Sequence, residues 1–457
     1  MTPQSPDFGI YSSRILTESG FINGTILITN GIISKLERGK LLNAPCPVED
    51  LGDLVVMPGL IDSHVHINEP GRTEWEGFET ITKAAIAGGI TSLVDMPLNA
   101  SPVTTSVEAL NIKLEAAKSK LFCNCGFYGG IVPDNLDKLD ALCEAGILGV
   151  KAFMTHSGID DFPNVNEAEL REGLRIMQRH GITLLAHAEL DTYHDDIEAF
   201  EKNPTNYLAY LASRPKEWED KAIDMLIDLC ESTGAQVHIV HLSSSNSIEK
   251  IMKARERGLP LSVETCPQYL YFSAEEIPNG NTLYKCAPPI RERENNEKLW
   301  GALKDGIIDF IVTDHSPATP VMKEIESGNL KKAWGGIASV QFSLPVIWTA
   351  AKKRGFKIED VAKWTSTSVA KFLHIDSMKG KIAEGFDADL VVWNPEETFT
   401  VKKEDIQFRH KVTPYIGEEL YGVVKQTYLA GIKVFENGKI DSTPHGKFLM
   451  KNKTQLA

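Results

Sequence analysis

The sequence predicts an α/β fold: a (β/α)8 TIM-like barrel with a small β-sandwich domain built from both chain termini. Three observations carry this expectation. Between about residues 75 and 315 an apolar, β-branched run repeatedly follows a polar stretch of helical length. The junctions often carry glycine, which accepts the left-handed conformation just past a helix end at low cost. The two ends of the chain read differently, as short alternating runs split by Gly and Asn, the pattern of β-hairpins.

Taken in order, GIYSSRILTESGFINGTILITNGIISKLERGK (9–40) supplies the N-terminal hairpins. VVMPGLIDSHVHI (55–67) is the first barrel strand, followed by AGGITSLVDM (87–96), LFCNCGFYG (121–129), AGILGVKAFM (145–154), HGITLLAHAE (180–189), GAQVHIVHLS (234–243), RGLPLSVET (257–265) and DGIIDFIVTDH (305–315). The intervening EWEGFETITKAAIAG (74–88), SVEALNIKLEAAK (106–118) and EWEDKAIDMLIDLCESTG (217–234) repeat apolar residues at helical spacing. Strand runs apolar on both faces, alternating with amphipathic helices, indicate a parallel sheet covered by helices. Eight such units point to a closed barrel, with a doubly wound open sheet as the alternative. GFDADLVVWNPEETFTV (385–401) and GVVKQTYLAGIKVFENGK (422–439) return to hairpins that pair with the N-terminal ones. The expected division is residues 1–56 and 375–457 for the sandwich and 57–374 for the barrel.

Composition narrows the function. At 457 residues, 42% hydrophobic and 24% charged, the chain buries a sizeable core. A net charge of -14 with no acidic block, and no dense cluster of Lys and Arg, excludes nucleic acid and anionic membranes as expected partners. The first residues lack the n- and h-regions of an export signal, and no run approaches the ~18 apolar residues of a membrane span. A cytoplasmic protein acting on a small-molecule substrate is expected. Seven cysteines, an odd number, are read as reduced thiols. Cys123 and Cys125 have one residue between them and no second pair to match, which argues against a structural zinc knuckle.

The chemistry gathers at strand ends. His64 and His66 share one face of the first barrel strand, because side chains at i and i+2 point the same way. His187 closes the fifth strand, His241 the sixth and Asp314 the eighth. In a barrel, functional groups collect at the C-terminal ends of the strands, and neutral imidazoles aimed at one spot favour a metal ion. Lys151 lies in an apolar run at the end of the fourth strand, where an ammonium must be paired, neutralised or modified. An ion pair, a Schiff-base lysine and a carbamate formed from the amine and CO2 are its three readings. With the carbamate, four histidines and Asp314 suit two divalent ions, Zn²⁺ above all, sharing a hydroxide.

This pattern resembles the cyclic amidohydrolases of the amidohydrolase superfamily. Within them DSHVHINEPGRTEWEGFET, DMPLNASPVTT, KCAPPIR and WGGIAS are similar to the allantoinases. The resemblance runs from about Ile22 to Leu449. It implies a carbamylated Lys151, two metals, hydrolytic opening of the hydantoin ring of allantoin to allantoate, and a homotetramer. The expected chemistry is attack of the metal-bridging hydroxide on the ring amide carbonyl, with Asp314 as general base and then general acid. Dihydroorotases carry an arginine where this chain has Asn68, and an amide suits a neutral ureido group better than a carboxylate. Hydantoinases and dihydropyrimidinases usually place a tyrosine where this chain has His156. Those enzymes remain the main alternative, and a metal-free assembly protein of the same fold the non-enzymatic one. Asn68, Arg72, Asn99, Cys286 and Ala287 are the candidate substrate contacts, although EPGR and CAPPIR read equally well as turns set by proline and glycine.

Overall fold

A computed structural model of the chain describes residues 6–451. Its N-terminal part holds β1 (Phe8–Thr17), β2 (Gly20–Thr29), β3 (Ile32–Arg38), β4 (Val48–Asp50) and β5 (Val55–Pro58). The central part holds β6 (Leu60–Val65), β7 (Ile90–Asp95), β8 (Asn124–Phe127), β9 (Gly129–Gly130), β10 (Val150–Phe153), β11 (Leu184–His187), β12 (Val237–Ile239), β13 (Leu261–Thr265) and β14 (Phe310–Ile311). The chain ends with β15 (Leu390–Thr400), β16 (Glu419–Leu429), β17 (Ile432–Glu436), β18 (Lys439–Ile440) and β19 (Phe448–Leu449).

Strands from both ends form one nine-stranded sheet in the order β18-β17-β16-β15-β5-β1-β2-β3, with β4 beside β1. The hairpins follow from local chemistry. Asn30-Gly31 turns β2 into β3 and Asn437-Gly438 turns β17 into β18, all four residues at positive φ as a two-residue hairpin loop demands. β5 is the seam, parallel to β1 and antiparallel to β15. Ile10, Ile15, Ile26 and Ile28 share a buried cluster with Val56, Leu390 and Val392, so the two termini complete one apolar layer.

The central strands run parallel in chain order, β6-β7-β8 in one ladder and β9 to β14 in another. Only Tyr128 separates β8 from β9; its N–H donates to the Asp95 carbonyl at 3.0 Å, while the Gly129 N–H reaches the Gly149 carbonyl at 3.0 Å. At the other margin Val65 bridges His315 in parallel, and the His66 N–H donates to the His315 carbonyl at 2.8 Å. Helices Phe78–Ala87, Val107–Ala117 and Lys216–Thr233 intervene between the strands, as their apolar spacing predicts, and Glu167–Arg179 does so as well. Among the described residues no helix is long and apolar enough to cross a membrane.

Two details depart from the sequence reading. The apolar run 55–67 is not one strand: it divides at Gly59, with β5 joining the terminal sheet and β6 the parallel one. Gly59 lies so close to Thr91 that a Cβ there would sit 2.4 Å from its side chain. The last strand, β19, also leaves the terminal sheet and pairs with β8, Phe448 opposite Cys125. The Phe448 ring packs edge-on against Phe127 at 5.7 Å, and the Lys451 N–H donates to the Gly146 carbonyl at 2.9 Å.

Candidate metal centre

Four of the residues at the strand ends owe their direction to backbone that few side chains adopt. Asn68 (φ 66°), Asn99 (φ 66°), His241 (φ 40°) and Asp314 (φ 47°) all take the left-handed conformation just past a strand. Each such residue costs about 1–3 kcal/mol and persists only where the surroundings enforce it, a habit of functional sites. The turn directs Asp314 at the histidine pair: its Oδ1 lies 3.3 Å from both His64 Nε2 and His66 Nε2. The ligand atoms of these three buried residues lie within 4.8 Å of one another, close enough to hold one ion.

A second pair of nitrogens converges beside them. His187 Nδ1 lies 3.0 Å from His241 Nε2, and the imidazoles of His64 and His241 have centroids 5.5 Å apart. Burial, reinforced by the positive charge of Lys151, holds His64, His187 and His241 below the ordinary histidine pKa. They are therefore neutral at physiological pH, the state in which imidazole binds a metal.

Carboxylates behind the histidines set which nitrogen faces the centre, and the sequence reading missed them. His64 Nδ1 pairs with Glu264 Oε1 at 2.5 Å, leaving Nε2 for Asp314's side. His187 Nε2 pairs with Glu189 Oε2 at 2.8 Å, leaving Nδ1 for His241's side. Burial drives the Glu264 carboxyl well above the carboxylate range, opposed by Lys151, so divalent charge at the centre would favour its ionised form. Despite burial, Arg214 and His187 hold Glu189 down at about 2. His238, whose ring packs against Phe372 of the helix Ser368–Phe372, bonds Glu264 Oε2 at 3.0 Å and Ser262 Oγ at 2.7 Å. His315 is likewise buried, its Nδ1 accepting from the Ser339 N–H at 2.9 Å. Glu264→Gln is expected to leave the fold intact and weaken metal retention by about 10–100-fold, measured by competitive chelation.

Lys151 is fully buried, and its Nζ has no hydrogen-bond partner among the described residues. Burial lowers its pKa to about 8, against the pull of Asp314 and Glu264. His241 Nδ1 is orphaned in the same way. Unsatisfied buried polar atoms are expensive in a finished site, and these fit one that binds further atoms. His64, His66, Lys151, His187, His241 and Asp314 all line a single cavity of about 860 Å³.

The candidate substrate contacts divide. Asn99 and Ala287 line the cavity. The Asn99 amide lies 3.4 Å from His66 Nδ1. Asn68 does not line the cavity: it is buried, donating to the Pro317 carbonyl at 3.3 Å, and its Oδ1 has no hydrogen-bond partner among the described residues. Arg72 does not line the cavity: its guanidinium donates to the carbonyls of Asn99 (3.0 Å) and Ala100 (3.2 Å) and to Asp161 (2.9 Å), bracing the loop after β7. Cys286 also lies behind the wall, with its carbonyl accepting from the Tyr210 hydroxyl at 2.7 Å and burial raising its thiol to about 12. His156, an exposed loop residue, stands at the rim.

Residues 55–434 match the amidohydrolase family. The chain is 46% identical to an allantoinase of Arabidopsis thaliana, over 94% of this chain and 88% of the relative. It is 40% identical to the allantoinase of Saccharomyces cerevisiae, over 97% of this chain and 95% of that one. Its fold is similar to a solved L-hydantoinase (dihydropyrimidinase) from Arthrobacter aurescens, with a TM-score of 0.90, 28% identity, and coverage of 97% of this chain and 100% of that one. With its parallel strands converging histidines on an aspartate beside a β-rich terminal layer, and with this end-to-end sequence likeness, the chain belongs to the amidohydrolase family, within its allantoinase branch.

Proposed function

We propose that the protein hydrolyses the hydantoin ring of allantoin to give allantoate. The observation that carries this reading is the convergence of His64, His66 and Asp314 on the floor of a substrate-sized cavity, in a chain similar over nearly its whole length to allantoinases. The reading takes the parallel strands as one closed (β/α)8 barrel, supported by the Val65–His315 bridge, with the two termini as its β-sandwich companion and a homotetramer as the assembly.

His64, His66, His187, His241, Asp314 and a carbamate on Lys151 would together hold two divalent ions; Zn²⁺ suits this nitrogen- and oxygen-rich donor set. Such ions supply Lewis acidity and lower the pKa of water from 15.7 towards ~7. The protein's own groups do the rest. The Asp314 carboxylate accepts a proton from the attacking water and returns it to the leaving ring nitrogen, which keeps the nucleophile and leaving group matched near neutral pH. Glu264 and Glu189 fix the imidazole orientations.

A hydantoinase is the second reading, favoured by the solved structure of that name. Initial rates with allantoin, hydantoin, dihydrouracil and dihydroorotate separate the two. Allantoin is expected to be turned over fastest, activity to disappear on chelation, and about two Zn²⁺ per chain to restore it. Faster opening of hydantoin would transfer the assignment, and a metal-free, inactive protein would leave only an assembly role.

A further inference from the structure

His238 is a buried imidazole that takes no part in the proposed mechanism. It sits in the middle of β12, opposite Ser262 of β13 in the parallel register. Ser262 and Glu264 are two residues apart on that strand, so their side chains share a face. The register therefore delivers His238 to both: its Nδ1 lies 2.7 Å from Ser262 Oγ and its Nε2 lies 3.0 Å from Glu264 Oε2. Packing keeps the ring there. It is stacked on Phe310 at 5.2 Å, with 9° between the planes, and meets Phe372 at 4.3 Å.

The two neighbours settle which nitrogen carries the proton. Burial holds His238 down at about 3, so the imidazole is neutral and has one N–H to give. An ionised carboxylate only accepts, whereas a hydroxyl donates or accepts. The N–H of His238 thus belongs on Nε2, facing Glu264, and the Ser262 hydroxyl donates to Nδ1. Glu264 is wholly buried and meets donors at both oxygens. His64 Nδ1 (2.5 Å) and the His241 backbone N–H (3.3 Å) reach Oε1, and His238 reaches Oε2. A carboxylate gripped at one oxygen pivots about that bond; donors at both fix its plane.

We propose that His238 is a positioning residue of the metal centre: its Nε2–H locks the Glu264 carboxylate, and through it the His64 imidazole, in the orientation that presents His64 Nε2 to the ion. Ser262 anchors this chain by holding His238 in the donating tautomer. The inference rests on the two-metal reading proposed above. Two substitutions in the full-length enzyme test it. His238→Phe keeps a ring between Phe310 and Phe372 and removes the donor, whereas His238→Gln gives up the aromatic packing and returns an amide N–H near the Nε2 position. Zn²⁺ retention, measured by competitive chelation, is expected to fall about five- to tenfold in His238→Phe and to stay within about twofold of the wild type in His238→Gln. Resistance of the metal-free proteins to urea should rank the other way, with Phe above Gln, because that measurement reads the packing. A residue that only packs would give the same order in both measurements. Wild-type retention in His238→Phe, or retention in His238→Gln no better than in His238→Phe, overturns the inference. If either variant does not fold, Ser262→Ala, at a half-buried position, takes its place. It releases the tautomer and is expected to weaken Zn²⁺ retention about threefold, and unchanged retention overturns the inference. A wild type that binds no Zn²⁺ overturns the two-metal reading and this inference together, whereas a Zn²⁺-binding wild type beside an indifferent His238→Phe overturns this inference alone.

Discussion

Asp314→Asn is expected to fold normally, bind metal less tightly and lose about 10²–10⁴-fold in kcat on allantoin even when metal is saturating, the range ascribed to a positioned acid–base group. The geometry singles out this residue. Its Oδ1 is equidistant, at 3.3 Å, from the inward nitrogens of His64 and His66, and its left-handed backbone holds it there. Asparagine adopts that backbone as readily as aspartate, so the substitution removes charge and proton-carrying capacity without disturbing the turn. Metal content measured beside kcat separates the two duties. Near-normal turnover with metal retained would reduce Asp314 to a ligand alone.

Lys151→Met should have the other large effect, with opposite signs for activity and stability. Activity is expected to fall by about three orders of magnitude or more, with a parallel loss of bound metal, because the nucleophile depends on it. The metal-free protein should nevertheless become more resistant to urea. Lys151 Nζ is buried with no hydrogen-bond partner among the described residues, a condition that costs about 1–3 kcal/mol, and methionine fills similar space with no polar atom to satisfy. Intact-mass measurement of the loaded wild type should show the added CO2, absent from the variant. Full metal stoichiometry and turnover in Lys151→Met would remove the lysine from the centre.

How much of this was legible in the sequence depended on the range of the interaction. The parallel strands were readable because most junctions announce themselves locally, a polar helix giving way to glycine and then to β-branched residues. The ligand candidates were readable for a related reason: His187, His241, Asp314 and Lys151 are polar interruptions of apolar runs. The split at Gly59 was not, since VVMPGLIDSHVHI is uniformly apolar and only Thr91 and the strands on either side show which half belongs where. Glu264 was invisible for the same cause. In LSVET it looks like an ordinary strand-end acid, and its partner His64 lies 200 positions away. Arg72 went the other way: the EPGR turn places it near the site in sequence, but its guanidinium is committed to the carbonyls of Asn99 and Ala100.

The strand at Phe448–Leu449 carries a further consequence. It covers backbone groups of β8 that β10 does not reach, so these residues act as a gasket for a sheet synthesised some three hundred residues earlier. Until they arrive, that margin is an open template for any passing extended segment, and a chain clipped before Gly446 would expose it permanently. Such a shortened form should keep its chemistry on paper and lose it in the test tube, through self-association rather than through any defect at the histidines.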